Sequence, residues 1–214
     1  MAHVLPCLAR HAGKITVNAL TLFWGGIALF GIGFLHTQEK IGQIDARCFH
    51  FLYKFLNETF KVALFQRLWF LGRTPLTLAC LAILTFCDWE RGLVAWGVYG
   101  LAASLERGIK FLVKRPRPFA SFPENVTLLQ PQRPSDFSFP SGDSLRVWFL
   151  ALVIPSFWEF SWPVYALSAG IALTVTLGRV AMGVHYPLDT ISGTGLGILG
   201  AGLMIFVWQV GGLL

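Results

Sequence analysis

Lys110 stands seven residues before Arg117-Pro118; Pro140-Ser141-Gly142-Asp143 follows, and Arg179, His185 and Asp189 come last. Each cluster holds residue types that handle oxyanions. Lysine and arginine offer fixed positive charge. A Ser-Gly turn opening a helix presents free backbone N–H groups and the positive end of the helix dipole. An imidazole with a carboxylate four residues on can be held in one tautomer, leaving its other nitrogen as a nucleophile. Phosphoryl transfer needs this inventory, because it relies on charge stabilisation around oxygens more than on covalent assistance. Taken singly, each cluster has a plainer explanation. Lys110 and Arg117 suit snorkelling at a helix end, Ser141 or Asp143 suits an N-cap, and Asp189 suits a cap after Pro187. His185 is the only histidine after residue 50, so the nucleophile role has no rival imidazole nearby.

The elements that must position these groups are apolar. The 214 residues are 55% hydrophobic and 13% charged, with a mean hydropathy of +0.61, against roughly 25% charged in soluble domains. This composition predicts a single all-α, polytopic membrane domain over residues 1–214. A span needs ~20 mainly apolar residues. Residues 17–35, 160–178 and 190–214 are charge-free and long enough alone; residues 74–87, 92–105 and 147–158 need flanking residues to reach that length. The expectation is a six-helix transmembrane bundle. Charges inside such a bundle cost ~2.5–3.5 kcal/mol each near the bilayer centre, so they usually have a task.

Between the first two helices, residues 36–73 mix Glu39, Lys40, Asp45, Arg47, Lys54, Glu58, Lys61 and Arg67 with aromatics, which predicts an amphipathic segment lying in the membrane interface. Residues 114–140 contain six prolines and cannot form a continuous helix; Glu124, Arg133 and Asp136 in that loop read as solvated charges. Pro155 and Pro163 are expected to break the chain between helices four and five. Glycines of the last helix suit close helix packing. The four cysteines (7, 48, 80 and 87) lack metal or redox spacing. Arg10 and Lys14 before the first apolar run predict an uncleaved first helix with a cytoplasmic N-terminus. The net charge of +6 lacks the basic runs interleaved with aromatics that nucleic acid requires, so the predicted partner is a bilayer and an anionic lipid, with no nucleic acid. If six helices alternate direction, the ends carrying all three clusters share one face of the membrane.

Together the clusters resemble the type 2 phosphatidic acid phosphatase superfamily, whose signature is K-x6-R-P, P-S-G-H and S-R-x5-H-x3-D. This chain has Lys110–Arg117-Pro118, Pro140-Ser141-Gly142-Asp143 and Gly178-Arg179–His185–Asp189. The resemblance implies that Lys110, Arg117, Ser141, Gly142 and Arg179 bind phosphate. It implies that His185 forms a phosphohistidine oriented by Asp189, with no metal and no cofactor. The substrate it implies is a lipid phosphate or diphosphate, undecaprenyl diphosphate-like by preference, attacked at the extracytoplasmic face of a bacterial inner membrane.

Two positions depart from the signature. Gly178 stands for a serine, and Asp143 for the histidine that acts as general acid in the family. Asp143 as the acid would have to be protonated beside three cations, which favour its ionised form. A substrate whose leaving group needs little protonation, a lipid monophosphate released from a diphosphate, would evade the difficulty. Phosphotransfer to a second lipid and a non-catalytic phospholipid carrier are the alternatives; a channel would spread polar residues along several helices.

Overall fold

The computed structural model describes residues 18–213; Cys7, Arg10, Lys14 and Val17, with the orientation argument built on them, lie outside the described residues. Nine α-helices and no strands occur among the described residues. Helix α1 (Ala19–Gly33) starts at Asn18, whose side-chain oxygen accepts from the N–H groups of Leu20 and Thr21. A 3₁₀ turn leads into α2 (Glu39–Thr59) and α3 (Val62–Leu68), and a second, Trp69–Gly72, leads into α4 (Thr74–Cys87). Asp88 alone separates α4 from α5 (Trp89–Val113), capping it by accepting from Arg91 N–H. The single turn α6 (Pro118–Ser121) precedes α7 (Gly142–Phe157), α8 (Trp162–Ala181) and α9 (Pro187–Val210).

Helices thus occupy the six positions expected from sequence: α1, α4, α5, α7, α8 and α9. By length and composition, Ala19–Thr37, Trp162–Ala181 and Pro187–Val210 can cross a membrane, and Val62–Gly72 with Thr74–Cys87, bent by 48°, makes a fourth candidate. Helix α5 is long enough but carries Glu106, Arg107 and Lys110 near its end; α7 has 16 residues. Pro155 does not end α7 as anticipated. It sits in the last turn, where it forfeits a single bond to a carbonyl four residues earlier, and the helix continues only to Phe157. Pro163 lies in the first turn of α8, where a missing N–H costs nothing.

Helix α9 is the axis of the fold, packed on α1, α5 and α7. Gly195 permits this: a Cβ there would stand 2.8 Å from the carbonyl oxygen of Gly26 on α1. The main core joins Leu81, Ala95, Tyr99, Phe149, Val153, Met204 and Trp208 from α4, α5, α7 and α9. A second core, Phe49, Leu56, Phe65, Val126, Val180 and Tyr186, seats α2 and α3 on α8 beside the catalytic-type residues. Residues 114–140 form no continuous helix, as expected, and hold only the single turn α6. The segment is pinned at Phe119 N–H to Gly183 O (3.1 Å), Leu129 N–H to Met182 O (3.2 Å) and Ser138 N–H to Arg115 O (2.8 Å). These bonds draw the proline-rich loop over the α8–α9 turn.

Candidate active site

The three sequence clusters meet at one end of the bundle. Lys110, in the last turn of α5, is buried, with Nζ 2.8 Å from Glu106 Oε1 and a second bond to Asp136. It therefore does not snorkel into solvent. Arg117 precedes α6 in extended backbone and is also buried. Its guanidinium donates to Val184 O (2.9 Å), Asp136 O (2.9 Å) and Asp136 Oδ1 (2.6 Å), and Nη1 lies 3.2 Å from His185 Nε2.

His185 sits in the turn between α8 and α9 and is 2% exposed. Its Nδ1 lies 3.5 Å from Ser138 Oγ and 3.7 Å from Asp189 Oδ2. A cation at Nε2 and a carboxylate toward Nδ1 select the tautomer protonated on Nδ1, which leaves the Nε2 lone pair facing Arg117. Burial, reinforced by the charge of Arg117, lowers the imidazole to about 4, so the ring is neutral at physiological pH. Asp189, in the first turn of α9, is held from all sides. Its Oδ2 accepts from Tyr186 N–H (2.9 Å) and Ser138 Oγ, and its Oδ1 accepts from Arg115 (2.6 Å). It caps the helix and orients the imidazole at once.

The P-S-G-D turn delivers a different arrangement. Ser141 caps α7, its Oγ accepting from Ser144 N–H and Ser144 Oγ, which occupies its lone pairs and leaves its O–H to donate. Gly142 faces a cavity of about 140 Å³ together with Lys110, Arg117, Asp136, Asp143 and His185. A Cβ on Gly142 would come within 2.6 Å of Glu106 Oε1, so only glycine fits that wall unshifted. Asp143 accepts from Arg146 Nη1 (3.0 Å) and from Arg179 Nη1 (3.1 Å), one oxygen to each guanidinium. That geometry favours the carboxylate and leaves no proton to donate. Arg179 is fully buried and is spent on Asp143 and on Trp69 O (3.1 Å).

Sequence reasoning passed over several residues that belong here. Asp136 is more than a solvated loop charge: though half-exposed, it bridges Lys110 and Arg117. Burial would raise its carboxyl, but the two cations outweigh this and hold it well below the usual carboxylate range. Arg115 bridges Asp189 and the buried Asp45 of α2 (2.7 Å), and lies 4.0 Å over the Tyr186 ring. Asp45 in turn accepts from Leu188 N–H (3.1 Å). Arg73 and Arg146 also line the cavity. Arg146, three residues after Asp143 at the start of a helix, was the one partner a local pattern could have flagged. Among the described residues no group of three or more histidine, cysteine or carboxylate side chains is arranged to hold a metal ion.

Similarities to known proteins agree with this geometry. A model of the PAP2 superfamily matches residues 91–211. Phosphatidylglycerophosphatase B of Bacillus subtilis (strain 168) is 32% identical over 120 residues, covering 52% of this chain and 54% of that protein. Undecaprenyl-diphosphatase of Sulfolobus acidocaldarius is 38% identical over 90 residues, 41% of each. The chain thus spans about half the length of the curated relatives it matches, or less. A crystal structure of a transmembrane PAP2 type phosphatidylglycerolphosphate phosphatase from Bacillus subtilis shares the fold, with a TM-score of 0.69 at 22% identity, covering 90% of this chain and 96% of that one. The structure of Aquifex aeolicus LpxE gives a TM-score of 0.61 at 26% identity, covering 72% and 92%.

Proposed function

We propose that this chain, which belongs to the PAP2 superfamily, is a metal-independent phosphatase acting on a lipid phosphate or diphosphate through a phosphohistidine at His185. The observation that carries the reading is the pose of that imidazole: buried, neutral, its Nδ1 turned to Asp189, its Nε2 beside Arg117. The phosphoryl oxygens would lie against Lys110, Arg117 and the backbone of Gly142. The Nε2–phosphorus bond forms as the bond to the leaving oxygen breaks, with the electron pair departing on that oxygen. Water then attacks phosphorus as the Nε2–phosphorus bond breaks and its electron pair returns to Nε2; the water oxygen stays on inorganic phosphate with one proton, and the other proton passes through solvent to the lipid product. The curated relatives act, by their names, on phosphatidylglycerophosphate and undecaprenyl diphosphate, and an undecaprenyl diphosphate-like substrate is the preferred one here.

The same reading makes α1, α4, α5, α7, α8 and α9 six spans of one domain, with α2 in the interface. That helix buries Asp45, Phe49 and Leu56 on one side while Phe51 and Phe55 remain exposed, a distribution suited to a membrane surface. The site would face outward from a bacterial inner membrane. The test is phosphate release by the purified full chain, in detergent with a chelator, from undecaprenyl diphosphate, phosphatidylglycerophosphate, phosphatidic acid and lipid A. The assay is run with and without a lipid acceptor to detect phosphotransfer. His185→Ala is expected to lower turnover by about 10³-fold or more; turnover retained in that variant removes His185 as nucleophile.

A further inference from the structure

The cavity beside His185 is lined by four cations, and they are not equivalent. Lys110 and Arg117 flank the imidazole and share Asp136. Arg146 is shared with Asp143. Arg73 stands apart. It enters the same cavity from the residue before α4, makes no ion pair among the described residues, stacks 4.5 Å over Trp69 and donates to Gln132 Oε1 (2.8 Å). A half-buried guanidinium, held by an aromatic face and an amide, with Asp143 near it but beyond ion-pair distance, is pre-organised for an anion in the cavity. Arg146 reaches the same region, tied to Gly72 O (3.2 Å), the residue preceding Arg73.

The chemistry of the leaving group gives this second set of cations a purpose. An alkoxide leaving a phosphate monoester resembles hydroxide, whose parent acid has a pKa of about 15.7, and needs a proton as it departs. Asp143, bound through both oxygens to arginines, has none to give. A leaving phosphate monoester has its second pKa at about 6 and departs without a proton if its charge is balanced. We propose that Arg73 and Arg146 form a second phosphate subsite, which holds the phosphate that stays on the lipid and makes this a site for diphosphate esters. The terminal phosphoryl group lies between Lys110 and Arg117 and passes to His185 Nε2. The phosphoanhydride bond breaks, and its electrons remain on the oxygen of the lipid monophosphate, facing Arg73. This assignment rests on the phosphatase reading above but makes a separate claim about binding.

Two measurements separate the claims. In wild-type protein, inorganic pyrophosphate is expected to bind about tenfold or more tightly than inorganic phosphate, and Arg73→Gln to remove that preference. In turnover, Arg73→Gln lowers the ratio of kcat/KM on undecaprenyl diphosphate to that on phosphatidic acid by about tenfold, and Arg73→Lys, which keeps the charge, restores most of it. Equal binding of the two inorganic anions by wild type overturns the subsite, as does an equal loss on both lipid substrates. If wild type cleaves neither lipid, the phosphatase reading fails while the pyrophosphate comparison still decides the subsite.

Discussion

Replacing Arg115 by glutamine tests whether the residues behind the imidazole act as a unit. Among the described residues Arg115 is the sole cation contacting two carboxylates that are almost completely buried, Asp45 at 2.7 Å and Asp189 at 2.6 Å. Breaking a buried pair by deleting one partner costs about 3–5 kcal/mol, because the remaining charge stays desolvated. Here two like charges would face each other across the gap. One must take a proton, and Asp45 is the candidate, since burial already pushes its carboxyl up even with Arg115 in place. The sign follows. A carboxyl whose folded-state pKa is raised binds more protons folded than unfolded, so stability falls as pH rises through the raised value. Arg115→Gln is therefore expected to lower the thermal midpoint in detergent by about 6–20 °C at pH 7.5, and by clearly less at pH 5. Turnover should fall about 10- to 100-fold, since Asp189 keeps only Tyr186 N–H and Ser138 to fix its orientation. Adding Asp45→Asn should recover much of the stability but little of the turnover. A single variant matching wild type in midpoint and rate at both pH values would refute the reasoning.

Two further outcomes are expected. Asp136→Asn removes a carboxylate that competes for Lys110 and Arg117; because the side chain is half-exposed, the gain in inorganic phosphate affinity should be modest, about 3- to 10-fold, and weaker binding would show that Asp136 positions the cations instead. An NMR titration of His185 should give a midpoint near 4, with stability complete above about pH 6.5 and declining as pH falls toward 4, because the unfolded imidazole binds the proton first. Arg117→Gln should move that midpoint up, and a wild-type midpoint at 6.5 or above would contradict the burial argument.

What the sequence made legible was whatever is encoded locally or by order. The six helix positions follow from apolar length, and the meeting of Lys110, Arg117, Asp143, Arg179 and His185 follows from alternating helix direction. The residues that escaped are isolated charges whose partners are remote. Arg115 lies 70 residues from Asp45 and 74 from Asp189, and Ser138 lies 51 from Asp189. No periodicity links them, and they meet only because α2 packs on α8 and α9 while the proline-rich loop crosses the α8–α9 turn. Asp136 was misread for the same reason. A carboxylate in a proline-rich loop is usually solvated, and the bonds of that loop to Met182, Gly183 and Arg115 cannot be inferred from composition. Ser141 shows the converse, since its local spacing predicted the cap that its hydrogen bond to Ser144 N–H makes.

The exchange of histidine for Asp143 acquires a physical sense from its neighbours. An imidazole at that position would be neutral or positive, whereas a carboxylate is negative, so the exchange alone would weaken a phosphate site. Around the cavity, Arg73, Lys110, Arg117 and Arg146 stand against Asp136 and Asp143, leaving a net of +2 with His185 neutral. Arg179, buried below and bonded to Asp143, is offset by Glu106, which is buried and bonded to Lys110. Asp143 therefore does not deplete the site of positive charge; it fixes two guanidinium groups in place. Where the resembled signature places a proton donor, Asp143 here joins two guanidinium groups. That exchange suits a leaving group that requires neutralised charge and not a proton, which is why Asp143, Arg146 and Arg73 are best understood together.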